Sequence, residues 1–404
     1  MAEVVVVGGG PAGMMLALLL ARAGVTVRVL EKHADLLRDF RGDTVHPSTM
    51  EVLDQLGLLA RFLDRPHNRV TRAQLRIEER EWTTAELGHL DTPAPFIAMM
   101  PQWEFLDFLR DEAMRYPGFA LEMEAEVAGF VEDAGRIVGV RLASGDEERA
   151  GRLVIAADGR RSLVRSLLPL DTLGAPIDVL WFKLPKRDDG GDALRGSVRP
   201  GRIVVLIDRD EYWQAAFVIP KGEEAAVRAR GLDWLRREVA NSFPDLRFDG
   251  PFLERDEDLK LLSVAVDRLS QWSRPGLLAI GDAAHAMSPI GGIGINLAIQ
   301  DAVAAANILA APLAAGQDID PLLPQVQRRR LLPTRIIQSA QVAAQNRVIA
   351  LVLGGGSVRA PLAVRLLDRF PLLRRIPGRL VGLGVRRERV RSPLAPSPPR
   401  DSRE

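Results

Sequence analysis

With 404 residues, 47% of them hydrophobic and 26% charged, the chain has the composition of a soluble globular protein, long enough for two or three interlocked units around a large ligand. Lys and Arg number 54 against 53 Asp and Glu; a formal net charge of +1 argues against nucleic acid, and no base-stacking or zinc-type spacing restores that class. There is no cysteine, which excludes disulfides, thiolate nucleophiles and thiolate metal ligands and leaves any redox chemistry to a bound cofactor.

After Met1, Ala2 and Glu3 the chain enters an apolar run with no basic leader region or small-residue cleavage site. Apolar stretches such as Met14 to Ala21 fall short of the roughly 20 residues that span a bilayer, so no transmembrane segment and a cytoplasmic location are expected. Val4 to Val7 reads as a buried strand, Gly8 to Gly13 as a glycine turn, Pro11 to Ala23 as a helix and Val25 to Leu30 as a second strand, together a βαβ unit. Helical periodicity follows over Ser48 to Leu59 and Trp103 to Arg115, with strand-like alternation from Val70 to Leu90 between them. Ala120 to Val131, Ile137 to Leu142 and Arg152 to Ala156 read as strands, and a β-rich section runs from about Asp178 to Val266 with a hairpin of Arg202 to Ile207 and Tyr212 to Ile219. Beyond Pro275 the opening pattern returns as a strand, Leu277 to Ile280, a glycine turn and a helix from Gly292 to Leu309.

Arginine then becomes frequent on the helical segments Arg328 to Val352 and Pro361 to Leu373. From Arg359 onward twelve arginines face four acidic residues, a balance of +8. This reads as a solvated helix face closing the fold, with an anionic or lipid surface, hence peripheral membrane contact, as the alternative. Residues 391–404, rich in proline and serine, read as a disordered tail.

Three segments carry chemistry. In Gly8-Gly9-Gly10-Pro11-Ala12-Gly13, between strand and helix, Gly8 permits the tight turn, Gly10 lets a pyrophosphate approach the backbone and Gly13 lets helix pack on strand. Glu31, 18 residues after Gly13 and followed by Lys32, ends the second strand; its carboxylate suits ribose hydroxyls and repels a 2′-phosphate, which favours FAD or NAD over NADP. In the second segment Leu277 to Ile280 delivers Gly281 and Asp282 to a polyol. Pro289, Gly292, Gly294, Ile295 and Asn296 then open a helix whose free N–H groups suit an electron-rich ring. The third, Leu153 to Ala157 followed by Asp158, Gly159 and Arg165, is a strand entering an Asp-Gly turn with arginines; alone it reads equally as an ordinary turn with a surface charge.

In this order, G-x-G-x-x-G, Asp-Gly-x-x-Ser, then Gly-Asp-Ala with P-x-x-G-x-G-x-N, the chain resembles the single-component flavoprotein monooxygenases related to p-hydroxybenzoate hydroxylase over roughly residues 1–310. The resemblance implies an α/β fold: a Rossmann-like FAD-binding domain with an inserted β-sheet substrate domain and C-terminal helices. The FAD-binding domain is expected from 1–68, 98–168 and 267–322, the substrate domain from 69–97 and 169–266, the helices from 323–390. It also implies tightly bound, non-covalent FAD, NAD(P)H as a transient co-substrate and O2, with hydroxylation of a hydrophobic aromatic or polyketide-like molecule through a flavin C4a-hydroperoxide. Carried over position by position, Gly8, Gly10, Pro11, Ala12, Gly13, Glu31 and Lys32 hold the ADP half. Arg41 matches the arginine near the pyrophosphate, Gln102 stands where many members have arginine, and Asp158, Gly159 and Arg165 match the motif linked to FAD and NAD(P)H. Asp282 matches the ribityl contact, and Pro289, Gly292, Gly294, Ile295 and Asn296 line the isoalloxazine. Ile293 departs from the glutamine common between those glycines.

Trp213 and Gln214 are candidate walls of the substrate site, although strand aromatics are more often core; His285 and Pro289, beside the flavin motif, are candidates for the reacting centre, with a satisfied structural histidine the commoner reading of His285; no metal site is expected. The alternatives are a same-fold reductase, oxidase or halogenase, the last lacking its G-W-x-W-x-I motif here, and a protein that holds FAD without turnover.

Overall fold

Four consecutive valines, β-branched and without a polar side-chain atom, suit a strand buried on both faces. In the computed structural model, which describes residues 1–37, 44–77, 79–186, 194–209, 211–248, 251–346, 350–355 and 360–395, Val4–Val7 lies inside a six-stranded sheet. Its order is Ser273–Arg274, Leu277–Ala279, Leu153–Ala156, Val4–Val7, Val27–Leu30 and Phe119–Glu122. All neighbours are parallel except the edge pair formed by Ser273–Arg274. The register Leu153–Val4–Val27 brings the carboxyl ends of the three central strands level, where the glycine turn, the Asp-Gly turn and Glu31 emerge. This is the edge at which open α/β sheets bind ligands.

The helix Pro11–Arg22 is apolar all round and buried, and it packs against Gly294–Ala314 and Gln102–Ala113. Among the described residues, one stretch, Ile290–Ala314, which contains Gly294–Ala314, is long and apolar enough by composition to cross a membrane, longer than expected from the sequence; 72% of its apolar 18-residue window is buried inside the protein, as a core helix is.

A second, seven-stranded sheet runs in the order Lys260–Ser263, Ile177–Pro185, Tyr212–Pro220, Arg202–Asp208, Leu194–Arg199, Arg72–Ile77 and Arg80–Glu86. It is antiparallel except where Arg72–Ile77 lies parallel to Leu194–Arg199. One face carries Phe182, Leu206, Trp213 and Phe217 under the helix Leu232–Ser242. The other, with Val179, Ile203, Ala216 and Val218, is covered by Val352, Leu353 and Val364 from the C-terminal region.

Four expectations change. The expected helix Ser48 to Leu59 is two, Pro47–Gln55 and Leu59–Leu63, broken at Gly57, whose φ of 70° lies in the left-handed region. The single strand expected over Ala120 to Val131 is Phe119–Glu122 and Val127–Asp133, in different sheets, with Glu124 at φ 57° between them. The section from Asp178 to Val266 contains the helices Glu224–Ala229 and Leu232–Ser242 as well as strands. The proposed tail begins anchored: Ser392 N–H donates to Asn307, Ala395 N–H to the Arg22 carbonyl, and Arg22 to the Ser392 and Pro393 carbonyls.

Candidate functional site

The first glycine turn is a backbone device. Gly8 has φ 102°, and a Cβ there would lie 2.6 Å from the Ala157 carbonyl oxygen; a Cβ on Gly13 would lie 2.1 Å from the Gly8 oxygen. At Gly10, by contrast, the nearest protein atom to such a Cβ is 4.0 Å away, so this position faces a space rather than a neighbour. Gly10 precedes the Pro11–Arg22 helix, whose N-terminus has no side-chain cap and no acidic residue in its first turn. Glu31, 5% exposed, accepts hydrogen bonds from Gly9 N (2.9 Å) and His33 N (3.1 Å), which fixes its carboxylate beside the turn; Lys32 is exposed next to it.

The Gly294–Ala314 helix also begins without a side-chain cap or acidic residue. Such an end leaves N–H groups and the positive end of the helix dipole available to an electron-rich group. The two helices meet at Gly281: a Cβ on it would lie 3.0 Å from Ala12 Cβ and 3.2 Å from Ala298 Cβ. Both uncapped ends therefore converge on Gly281, and the open side next to Gly10 is the candidate cleft.

The Asp-Gly turn closes the third side. Asp158 accepts from Leu163 N at 3.2 Å through one carboxylate oxygen, while the other is buried without a partner. Burial pushes its carboxyl above the usual range, against the hydrogen bonds from Ser162 and Leu163 that favour the charged form. Arg160 Nε donates to Asp282 Oδ2 at 3.1 Å, and its Nη1 is buried with no partner. Arg165, whose side chain is 11% exposed, donates to Asp267 Oδ1 (2.8 Å) and to the Asp282 carbonyl (2.7 Å). It is a bracket holding the Gly281–Asp282 turn, not a free phosphate ligand.

Several expected ligand residues prove to be supports. Asn296 is 4% exposed; its Oδ1 accepts from His46 N (2.9 Å) and Thr49 Oγ1 (2.7 Å), and its amide donates to the Thr44 and Gly292 carbonyls at 3.4 Å. It fixes the helix entrance to the Thr44–Val45 strand instead of presenting its amide to the cleft. Gly292, at φ 61°, is held where Thr44 Oγ1 donates to its carbonyl, while Pro289, Gly294 and Ile295 are half-buried around it. His285 is 1% exposed, bound through Nε2 to Asp301 Oδ2 at 2.6 Å and walled by Trp272, with ring centroids 5.1 Å apart. That burial corrects its candidacy for proton transfer: it braces Asp301, which also accepts from Gly281 N (3.2 Å) and the buried Arg330 (2.9 Å). Burial alone would raise the Asp301 carboxyl, but His285 and Arg330 hold it below its usual value.

Trp213 needs a correction too. It is 4% exposed in the cluster of Phe182, Phe217, Leu235 and Val239, facing the Leu232–Ser242 helix. Gln214, its neighbour in the strand, points to the opposite face, paired in register with Ile207, and its Oε1 accepts from Arg209 at 2.8 and 2.7 Å while its Nε2 is buried without a partner. Ile207 and Val381 pack against one cluster, that of Val70, Leu87 and Met99, and Val381 also borders the cluster of Met287, Ile293 and Leu297, which links Gln214's side of the sheet to the second glycine turn. Gln102 opens the helix packed on Pro11–Arg22. Arg41 lies outside the described residues.

Sequence reasoning missed two sets of supports. Gln338, Gln341 and Gln345, at successive turns of the Leu323–Ala344 helix and its end, reach the loop before the second turn. Gln338 donates to the Asp267 and Ala286 carbonyls, Gln341 to those of Ser288 and Ile290, and Gln345 to Ser288 Oγ. Arg160 was the other; only its place two residues after Asp158 marked it.

A cofactor carrying a pyrophosphate and an electron-rich ring fits these residues: a glycine cradle open at Gly10, two uncapped helix ends converging on Gly281, and orphaned polar atoms on Asp158 and Arg160. A concavity of about 680 Å³ lined by Lys183, Tyr212 and Pro251 to Arg255 lies elsewhere, at the seven-stranded sheet, and none of the motif residues lines it.

Comparison with known proteins agrees with this geometry. The family model described as FAD binding domain matches residues 1–340. The chain is 32% identical over 401 residues to 6-methylpretetramide 4-monooxygenase of Streptomyces rimosus, covering 97% of this chain and 94% of that one. It is 30% identical over 317 residues to rifampicin monooxygenase of Streptomyces venezuelae, covering 75% of this chain but 62% of that longer protein. In fold it superposes on p-nitrophenol 4-monooxygenase PnpA of Pseudomonas putida DLL-E4 with a TM-score of 0.74 at 23% identity, covering 95% of each chain. Cleft, turns and relatives agree: the chain belongs to the FAD binding domain family and is an FAD-dependent monooxygenase of the p-hydroxybenzoate hydroxylase-like type.

Proposed function

We propose that this chain uses NAD(P)H and O2 to hydroxylate a polycyclic aromatic, polyketide-like molecule. The observation that carries the reading is the convergence at Gly281 of the uncapped ends of Pro11–Arg22 and Gly294–Ala314. The extent of the likeness to an enzyme named for 6-methylpretetramide supports the substrate class. When bound, FAD supplies the redox and oxygen-transfer chemistry, which explains why the cleft needs no catalytic triad.

The chain's own residues bind, orient and exclude water. Gly8, Gly10, Pro11, Ala12 and Gly13 receive the pyrophosphate at a helix N-terminus, with Glu31 and Lys32 beside the adenosine ribose. Arg41 and Gln102 are assigned to the same cofactor. Asp282 takes the ribityl chain, oriented by Arg160 and by Arg165 from behind its carbonyl. Pro289, Gly292, Gly294 and Ile295 border the isoalloxazine, and the Gly294 helix end favours negative charge developing on it. Asp158 and Gly159 close the side opposite. Gln214, with a buried donor unused by the protein, is the proposed polar contact to substrate on the sheet face.

The test is a visible spectrum of the purified protein followed by NAD(P)H oxidation with a panel of simple phenols and linear tetracyclic polyketides. A yellow protein whose coenzyme oxidation rises with a tetracycle, and whose product gains one oxygen atom, supports the reading. Oxygen insertion confined to simple phenols, or coenzyme oxidation that no member of the panel stimulates, would overturn the substrate class.

A further inference from the structure

We propose that the helical face over residues 362–379 is a docking surface for an anionic lipid bilayer. Leu362–Arg369, the turn Pro371–Arg374 and Arg375–Leu383 line up along the edge strand Arg80–Glu86 and touch one another through that turn. Their inner side is fixed to the sheet: a Cβ on Gly378 would meet the Glu86 backbone, and Gly382 sits against Leu87 and Leu90. Their outer side is unusual for a water-facing surface. Leu362, Phe370, Leu372 and Ile376 are each more than half exposed, and Leu366 and Leu373 add to the same stretch. Scattered exposed apolar residues need no explanation, but six within fifteen positions do.

The charges beside them point to the partner. Arg365, Arg369, Arg375 and Arg379 are exposed and, among the described residues, join no ion pair. Asp368, the one acidic residue between 362 and 379, is already neutralised by Arg80 (2.7 Å) and Arg374 (3.4 Å). The positions interleave at helical spacing: Leu362, Leu366 and Phe370 form one stripe and Arg365 and Arg369 another, and Leu372 with Ile376 runs beside Arg375 with Arg379. A second copy of the chain meeting this face on a two-fold axis would set unpaired arginines against arginines. A bilayer with acidic headgroups offers negative charge and hydrocarbon at adjacent depths, and guanidinium groups reach the headgroups while leucine and phenylalanine enter the acyl boundary.

Flotation of the full-length, FAD-loaded protein with phosphatidylcholine vesicles, with and without phosphatidylglycerol, tests this. We expect binding only where phosphatidylglycerol is present, weakening at high salt. The double substitution Arg365→Gln/Arg369→Gln should lower the partition coefficient about thirtyfold, on the basis of about 1 kcal/mol per basic side chain near an anionic surface. Phe370→Ser/Leu372→Ser should also release the protein while FAD content and melting temperature stay at the parent values. Failure of the parent protein to float with phosphatidylglycerol vesicles overturns the proposal, as does equal flotation of the arginine variant. A dimer that Phe370→Ser/Leu372→Ser dissociates, without vesicle binding, assigns the face to a second copy and also overturns it.

Discussion

The two glycine turns that border the cleft are built by different means. Around Gly8 to Gly13 the constraint is backbone against backbone: Gly8 lies on Ala157 and Gly13 on Gly8 itself, with no room for a Cβ at either. Around Gly281 to Asn296 the turn is held from behind by side chains, several of them distant in sequence. These are Arg165, Asp301 with His285 and Arg330, Thr44, Asn296 and the glutamines of the Leu323–Ala344 helix. A rigid pyrophosphate cradle needs only backbone geometry. The half assigned to the flavin ring is adjustable, because its position is set by hydrogen bonds that other side chains could redirect.

The largest effect should come from removing the charge on which the second turn rests. Asp301→Ala strands the Arg330 guanidinium, the His285 ring and the Gly281 N–H in a site with almost no exposure, although Glu388 at 3.4 Å still faces Arg330. Breaking such a pair costs about 3–5 kcal/mol, read as a lower urea midpoint at unchanged slope. A cost under about 1 kcal/mol would mean that side chains do not hold this turn. On the other side of the comparison, Gly13→Ala forces a methyl within 2.1 Å of the Gly8 oxygen. The overpacking should cost about 3 kcal/mol and abolish FAD retention with it.

Acid should loosen the second turn selectively. His46, fully buried beside Asn296, donates from Nδ1 to the Val381 carbonyl at 2.8 Å, and burial pushes its pKa down to about 4, partly offset by that bond. The folded value is depressed below the unfolded 6.5, so the stabilisation is complete above pH 6.5 and is lost as pH falls toward 4, by about 3 kcal/mol in all. His46→Asn keeps a donor near the Val381 carbonyl and removes the titration. Its stability should be flatter between pH 6.5 and 4 than the parent's, and an unchanged slope in that window would exonerate His46.

A smaller loss is expected from the glutamine ladder. Gln341 donates to the Ser288 and Ile290 carbonyls and accepts from Ser288 N. Gln341→Leu leaves those groups unpaired at about 2 kcal/mol. FAD affinity should fall with stability here, because the loop it pins leads directly into Gly292 and Gly294; equilibrium dialysis at a temperature where both proteins are folded separates the two.

How far each region could be read from the sequence follows the same division. Glycine's need for positive φ and close approach is a local property, so Gly8, Gly13 and the surrounding βαβ unit were readable from the first thirty residues. The supports of the second turn were not, because polar residues at helical spacing such as Gln338, Gln341 and Gln345 look the same whether they face water or bind buried carbonyls. Trp213 stayed open between core and substrate wall for a related reason. The strand Tyr212–Pro220 is buried on both faces, so no polar alternation told which face looked at the cleft, and the covering helix Leu232–Ser242 lay hidden in a section read as β. His285 stayed open between a proton carrier beside Asp282 and a structural histidine, the commoner reading, because its partner Asp301 could not be seen.

Gly10 gives the sharpest separation between folding and binding, and the smallest effect on stability. A Cβ there meets nothing nearer than the Ala157 oxygen at 4.0 Å, and Gly10 is not among the glycines with positive φ. Gly10→Ala should therefore change the unfolding free energy of FAD-free protein by less than about 1 kcal/mol, since alanine adds no clash and removes some freedom from the unfolded chain. Yet the methyl would stand in the space where a pyrophosphate must approach the N–H groups of the Pro11–Arg22 helix, so FAD affinity should drop at least about tenfold. Calorimetric titration of FAD into apoprotein, set beside urea unfolding of the same sample, decides it. Undiminished affinity would show that the pyrophosphate does not sit against Gly10, and the cleft would then have to be assigned from the Asp282 side alone. Lost stability with intact affinity would move Gly10 into the same class as Gly13, a residue of the fold and not of the site.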